Sequence, residues 1–177
     1  NHFYIQLSGC SASDKEFVVE HDGDEILHSD FNKHGLVMKI PDFADPIEWH
    51  GGYEYSVAEQ DACKHNLDFA INAFKNPPEA LDAPQSSIYP RDDVHLGSNS
   101  TLICFSTRFF PPPVRIRWTR NGLNVTDEST LSQYYPNKDN TYNQFSHLPF
   151  TPQEGDVYTC TVEHKALQIP KTITWGE

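Results

Sequence analysis

The stretch EGDVYTCTVEH, residues Glu154 to His164, alternates in the manner of a half-buried strand. Tyr158 stands two residues before Cys160. A tyrosine at that offset marks a strand of a two-sheet sandwich whose second cysteine reaches across to the facing sheet. The flanking sequence repeats the theme. STLICFSTRFF and VRIRW are rich in β-branched and aromatic residues and are joined through Pro111, Pro112 and Pro113. NTYNQFSHLPF and KTITW follow at short intervals, set off by Pro, Gly, Asn and Asp, as short strands of an all-β domain are.

Cys104, Trp118 and the Tyr158-x-Cys160 pair complete the pattern of an immunoglobulin-like domain. An inter-sheet Cys104–Cys160 disulfide with the indole packed against it is the expected centre of that core. Such a domain takes about 100 residues, and the chain has 177. A second domain must precede it. NPPEALDAPQSS, residues 76–87, holds three prolines and few bulky apolar residues, so the expected division is 1–81 and 82–177.

The two parts differ in charge. Ten of the twelve net negative charges fall within residues 1–81, which contain no arginine. That surface does not suit nucleic acid, whose phosphates need a basic face, or anionic lipid. The four cysteines are widely spaced and include no C-x-x-C pair, which argues for two structural disulfides in an oxidising compartment. Two N-x-S/T sequons, at Asn99 and Asn124, fit secretion and are candidate glycosylation sites. No apolar run approaches the roughly 18 residues of a membrane span. The chain therefore reads as an extracellular or luminal portion of a larger protein.

Residues 1–81 combine strands with one helix, which makes the whole chain α+β. HFYIQLSGC places Tyr4, Gln6, Ser8 and Cys10 on one strand face and Phe3, Ile5 and Leu7 on the other. EFVVEHDGDEILHSD carries Asp22-Gly23 between two strand-like runs, a hairpin signal, and GLVMKI supplies a fourth strand. YEYSVAEQDACKHNLDFAINAFKN then shifts to helical period. Cys63, Leu67, Ala70 and Phe74 share a face expected to lie on the sheet, with Tyr55, Ala62, Asn66, Phe69 and Ala73 on the adjacent flank. By strand parity and helical phase, Cys10 and Cys63 look into the same interlayer space. A Cys10–Cys63 disulfide follows, worth roughly 4 kcal/mol in the chain-entropy model. Four strands and one helix leave a sheet edge unpaired and a helix side uncovered, so a second chain is expected to complete them.

These motifs resemble one family. YTCTVEH, LICF, PPPVRIRWTRNG and HLPF are similar to the membrane-proximal domain of a class II major histocompatibility alpha chain, and HDGDEILHSD and KHNL to the hairpin and helix of its membrane-distal domain. The resemblance, to a non-mammalian vertebrate member, covers essentially the whole chain. It implies half of a peptide groove followed by a C1-type immunoglobulin sandwich. It also implies a beta-chain partner, an extended antigenic peptide, a T-cell receptor with a CD4-type co-receptor, and in biosynthesis an invariant chain and a peptide-exchange factor. The setting would be the ectodomain of a type I membrane protein at the cell surface and in endosomes. Gln6 and Asn66 match positions that bond peptide backbone, chemistry suited to a carboxamide with both donor and acceptor. Phe17, Val19, Ile26 and Met38 match the groove floor and pocket walls; Ala62, Phe69 and Ala73 match groove-facing helix positions. Glu59 stands where many members have a bonding Asn, and Ala73 where many have an Arg. The resemblance further implies a cis Phe110–Pro111 bond and a buried His28 able to act as an endosomal pH switch.

Catalytic and metal signatures are not in the sequence. The nine histidines are scattered without H-E-x-x-H or other ligand-like spacing, and no G-x-S-x-G, P-loop or dinucleotide fingerprint occurs. The expectation is a binding subunit, with no enzyme activity, no cofactor and no metal. Two alternatives stand beside presentation: a class II-like peptide-exchange subunit that binds no peptide itself, and an adhesion or receptor ectodomain unrelated to the family.

Overall fold

The structure is a computed structural model that describes residues 2–176. The chain divides into two compact units, Asn1–Pro78 and Glu79–Glu177, a division inside the proline-rich stretch and slightly ahead of the expected one.

The first unit is an antiparallel sheet in the order β1 (Tyr4–Cys10), β2 (Lys15–His21), β3 (Asp24–Asp30), β4 (Gly35–Met38), followed by α1 (Gly52–Phe74). The β2–β3 turn forms at Asp22-Gly23, both with positive φ, 53° and 90°, the conformation that makes this dipeptide a hairpin signal. A bulge between Val19 and Glu20 leaves Ile26 as the extra residue of β3. Gly51 takes a left-handed conformation, φ 78°, at the start of α1. A Cβ on Gly52 would stand 2.6 Å from the Leu36 and Trp49 side chains, so only glycine lets the helix begin this close to the sheet. Lys75 and Asn76, both left-handed, end the helix with their N–H groups bonded to the Ile71 carbonyl. Pro77 and Pro78 then prevent its continuation.

The helix lies on the sheet through Gly52, Ser56 and Gln60, which are buried, and through half-buried Cys63, Leu67 and Ala70. Phe74 departs from the expected face. It keeps the helical phase but is 72% exposed, because the last turn meets no opposing surface. The sealed core of this unit is small: Phe17, Val19 and Leu27, flanked by Ile26, Phe31, Leu36, Met38 and Trp49.

The second unit packs two sheets. One contains β5 (Gln85–Pro90), β6 (Ser100–Phe109), the short β9 (Thr130–Leu131) and β10 (Tyr135–Pro136), and β11 (Tyr142–Phe150). The other contains β7 (Arg115–Arg120), β8 (Leu123–Asn124), β12 (Val157–Glu163) and β13 (Lys171–Gly176). Cys104 and Cys160 are joined, and both are fully buried. Trp118 sits opposite Cys160 in the ladder, is fully buried, and donates its indole N–H to Ser146 Oγ at 2.8 Å. A buried indole needs such an acceptor. Tyr158, 1% exposed, reaches Asp156 Oδ2 at 3.4 Å and packs edge-on against Phe150. The Phe110–Pro111 bond is cis as expected, and Pro112–Pro113 is also cis.

Candidate functional site

The sheet face under α1 is set by pairing. Gln6 is opposite Val19, and Ser8 opposite Phe17. Opposed residues share a face, so these four point the same way. Gln6 Nε2 donates to the Tyr55 hydroxyl at 3.2 Å, and Ser8 Oγ to Glu59 Oε2 at 3.3 Å, which identifies that face as the one toward the helix. Leu27 and Met38 join it, being paired in turn with Val19 and with each other. Cys10 and Cys63 are bonded, with Cα atoms 6.1 Å apart, so the disulfide ties β1 to the middle of the helix as parity and phase had required.

Two concavities run along this layer. One, about 490 Å³, is lined by Ser8, Cys10, Glu59, Ala62, Cys63, Asn66 and Leu67. The other, about 420 Å³, lies at the helix start against Leu36, Met38, Ile47 and Trp49. Of the residues singled out from sequence, Phe17 and Val19 are buried floor, while Ile26 and Met38 are half-buried around them. Glu59 is half-buried; Gln6, Ala62, Asn66, Phe69 and Ala73 are exposed. Phe69 and Ala73 line neither concavity. A larger cavity, about 750 Å³, lies in the second unit between Arg91, Asn99, Arg120 and Tyr158. It borders a sequon asparagine and contains none of these residues.

His28 is placed differently. It pairs with Val18, whose side chain points away from the helix, and its Nδ1 is hydrogen-bonded to Glu25 Oε1. Glu25 also stands opposite Glu20, whose Oε1 is buried without a hydrogen-bond partner. Burial first, and then the Glu25 carboxylate, push the Glu20 carboxyl above its ordinary range. The sequon residues Asn99 and Asn124 are exposed; their Oδ1 atoms accept from Thr151 Oγ1 and from the Thr126 N–H.

Two contributors, Gln60 and Leu27, escaped the sequence reading. Gln60, 2% exposed, donates from Nε2 to the Glu16 carbonyl at 2.7 Å and so joins helix to floor. Tyr55, expected on the helix flank, meets Phe17 edge-on and Trp49 meets it at a tilt, with ring centroids 6.0 and 6.2 Å away, and together they roof one end of the floor. Leu27, 4% exposed, belongs to the floor core. A period-based reading could have found Leu27, whereas buried Gln60 left no apolar signal.

The matches to known families follow the two units. Residues 1–80 match the model of the class II histocompatibility antigen, alpha domain, and residues 86–167 that of the immunoglobulin C1-set domain. Both families are non-enzymatic. Among the described residues no helix is long and apolar enough to cross a membrane. A four-stranded sheet under one helix, followed by a C1-set sandwich and matched in that order by both models, makes this chain a member of the class II histocompatibility alpha family of antigen-presenting proteins.

Proposed function

We propose that this chain holds an extended peptide between its helix and that of a class II beta chain, and presents it to a T-cell receptor and a CD4-type co-receptor. The observation that carries the reading is the concavity lined jointly by the floor residue Ser8 and by Glu59, Ala62 and Asn66 of the helix. It lies beside β1, which has no strand on its outer side among the described residues. Exposed Gln6 and Asn66 offer carboxamides to a peptide backbone. Phe17, Val19, Ile26 and Met38 form the floor, and Phe69 and Ala73 continue the wall. Glu59 replaces a neutral bonding group with a carboxylate, which can accept from peptide N–H groups but cannot donate to peptide carbonyls.

On this reading the chain is the ectodomain of a type I membrane protein, glycosylated at Asn99 and Asn124. It is guided by an invariant chain and a peptide-exchange factor through endosomes to the cell surface. His28, whose Nδ1 is bonded to the Glu25 carboxylate on the sheet face away from the helix, is the candidate pH switch. Co-expression with a class II beta chain, followed by acid elution and mass spectrometry, tests the proposal. A mixed population of peptides released from a heterodimer is expected. A heterodimer that releases none points to the exchange role, and a stable monomer without a beta chain to adhesion. A His28→Gln variant should flatten the pH dependence of peptide off-rates; an unchanged profile refutes the switch.

A further inference from the structure

His2 and His21, nineteen residues apart in sequence, meet at the turn end of the first sheet. Tyr4 is opposite His21 in the β1–β2 ladder, so His2, two residues before Tyr4, falls on the same face diagonally from His21. Their rings stack with centroids 5.6 Å apart at 24°. Both aim Nδ1 at one carboxylate oxygen, Asp22 Oδ2, at 2.7 Å from His2 and 3.4 Å from His21. We propose that His2 Nδ1, His21 Nδ1 and Asp22 Oδ2 form a surface site for a borderline divalent cation of the zinc class, with water completing the coordination.

The geometry and the donor chemistry agree. Each of His2, His21 and Asp22 offers one ligand atom, and these atoms lie within 4.8 Å of one another. Tetrahedral zinc with bonds of 2.0 to 2.2 Å needs donors about 3.3 Å apart. The His21–Asp22 separation already meets that spacing, and His2 is exposed enough to swing outward by the remainder. Two imidazoles and one carboxylate suit zinc, nickel or copper over calcium or magnesium, which prefer all-oxygen sets.

The carboxylate is fixed as a good ligand requires. Asp22 Oδ1 accepts the Phe3 N–H at 2.6 Å, and the Asp22 N–H donates to the Phe3 carbonyl at 2.8 Å. Oδ2 is thereby turned toward the imidazoles, an orientation of the kind that outer hydrogen bonds give metal-ligating carboxylates. The cation would pin His2, just ahead of β1, to the β2–β3 turn.

Zinc titrated calorimetrically into the ectodomain, assembled with its beta chain in a non-chelating buffer near neutral pH, tests the site. One zinc per heterodimer is expected, with affinity falling about tenfold or more in His2→Gln and in His21→Gln, and unchanged in the exposed control His65→Gln. Histidine ring resonances should report the same event in the unaltered protein, those of His2 and His21 shifting first. Absence of saturable binding overturns the proposal. So does binding whose affinity and stoichiometry survive both variants, since another group would then hold the metal.

Discussion

The two units hold themselves together in opposite ways. Glu79–Glu177 encloses nine buried hydrophobic residues around a fully buried disulfide and Trp118. Asn1–Pro78 seals only Phe17, Val19 and Leu27 between helix and sheet, and leaves Tyr4, Tyr55, Phe69, Ile71 and Phe74 substantially exposed. One unit closes a large core by folding, although it too exposes Leu123, Leu131 and Ile169; the other seals a small core beside the open edge of β1. An incomplete core of this kind is what a shared groove requires, because a floor and wall sealed within one chain would leave nothing for a partner or a peptide to cover.

Separate expression of the units should break the comparison most sharply. Residues 79–177 are expected to unfold cooperatively, while residues 1–78 alone should show no cooperative melt. A sharp transition in the latter would remove the case for an obligate partner. Within the second unit, Trp118→Ala should cost about 3–5 kcal/mol in chemical denaturation, the usual loss for a large buried aromatic. A loss below about 1 kcal/mol would mean the core is looser than its burial indicates. In the first unit the corresponding weak point is polar. Gln60→Ala leaves the Glu16 carbonyl without its side-chain donor beneath the helix and should cost about 1–3 kcal/mol, whereas Gln60→Met should restore packing but not the bond.

The smallest effect concerns Glu20 and has a defined sign. Its raised carboxyl means the native state retains a proton that the unfolded chain gives up as pH rises through the ordinary carboxylate range. Stability therefore falls with pH across that window and stays lowered above it. Glu20→Gln should melt higher than the parent at neutral pH, with the difference closing as pH falls below the carboxylate range. A gap that persists in acid would show that Glu20 acts through packing and not through charge.

Much of the candidate site could be read early because it rests on short-range rules. Strand parity put Gln6, Ser8 and Cys10 on one face, and helical phase turned Cys63 toward them. The disulfide then followed from geometry that neighbouring residues impose on each other. Phe74 shows the limit of that reasoning. Phase gives a side chain's direction, but burial needs a surface opposite, and the end of α1 has none. Gln60 and Ser56 show the converse, since polar residues under a helix are bought by partners that no periodicity reveals.

The sequence by itself determined the two units, their order, both disulfides and the faces of β1 and α1, because these follow from spacing, period and turn chemistry along the chain. Only the tertiary structure decided what lies together across it: Gln60 on the Glu16 carbonyl, His28 on the sheet face away from the helix, and His2 beside His21 at one carboxylate. Such meetings depend on ladder register and on where the bulge at Ile26 falls. A one-residue slip in register exchanges the two faces of a strand, so they become definite only once every strand is paired.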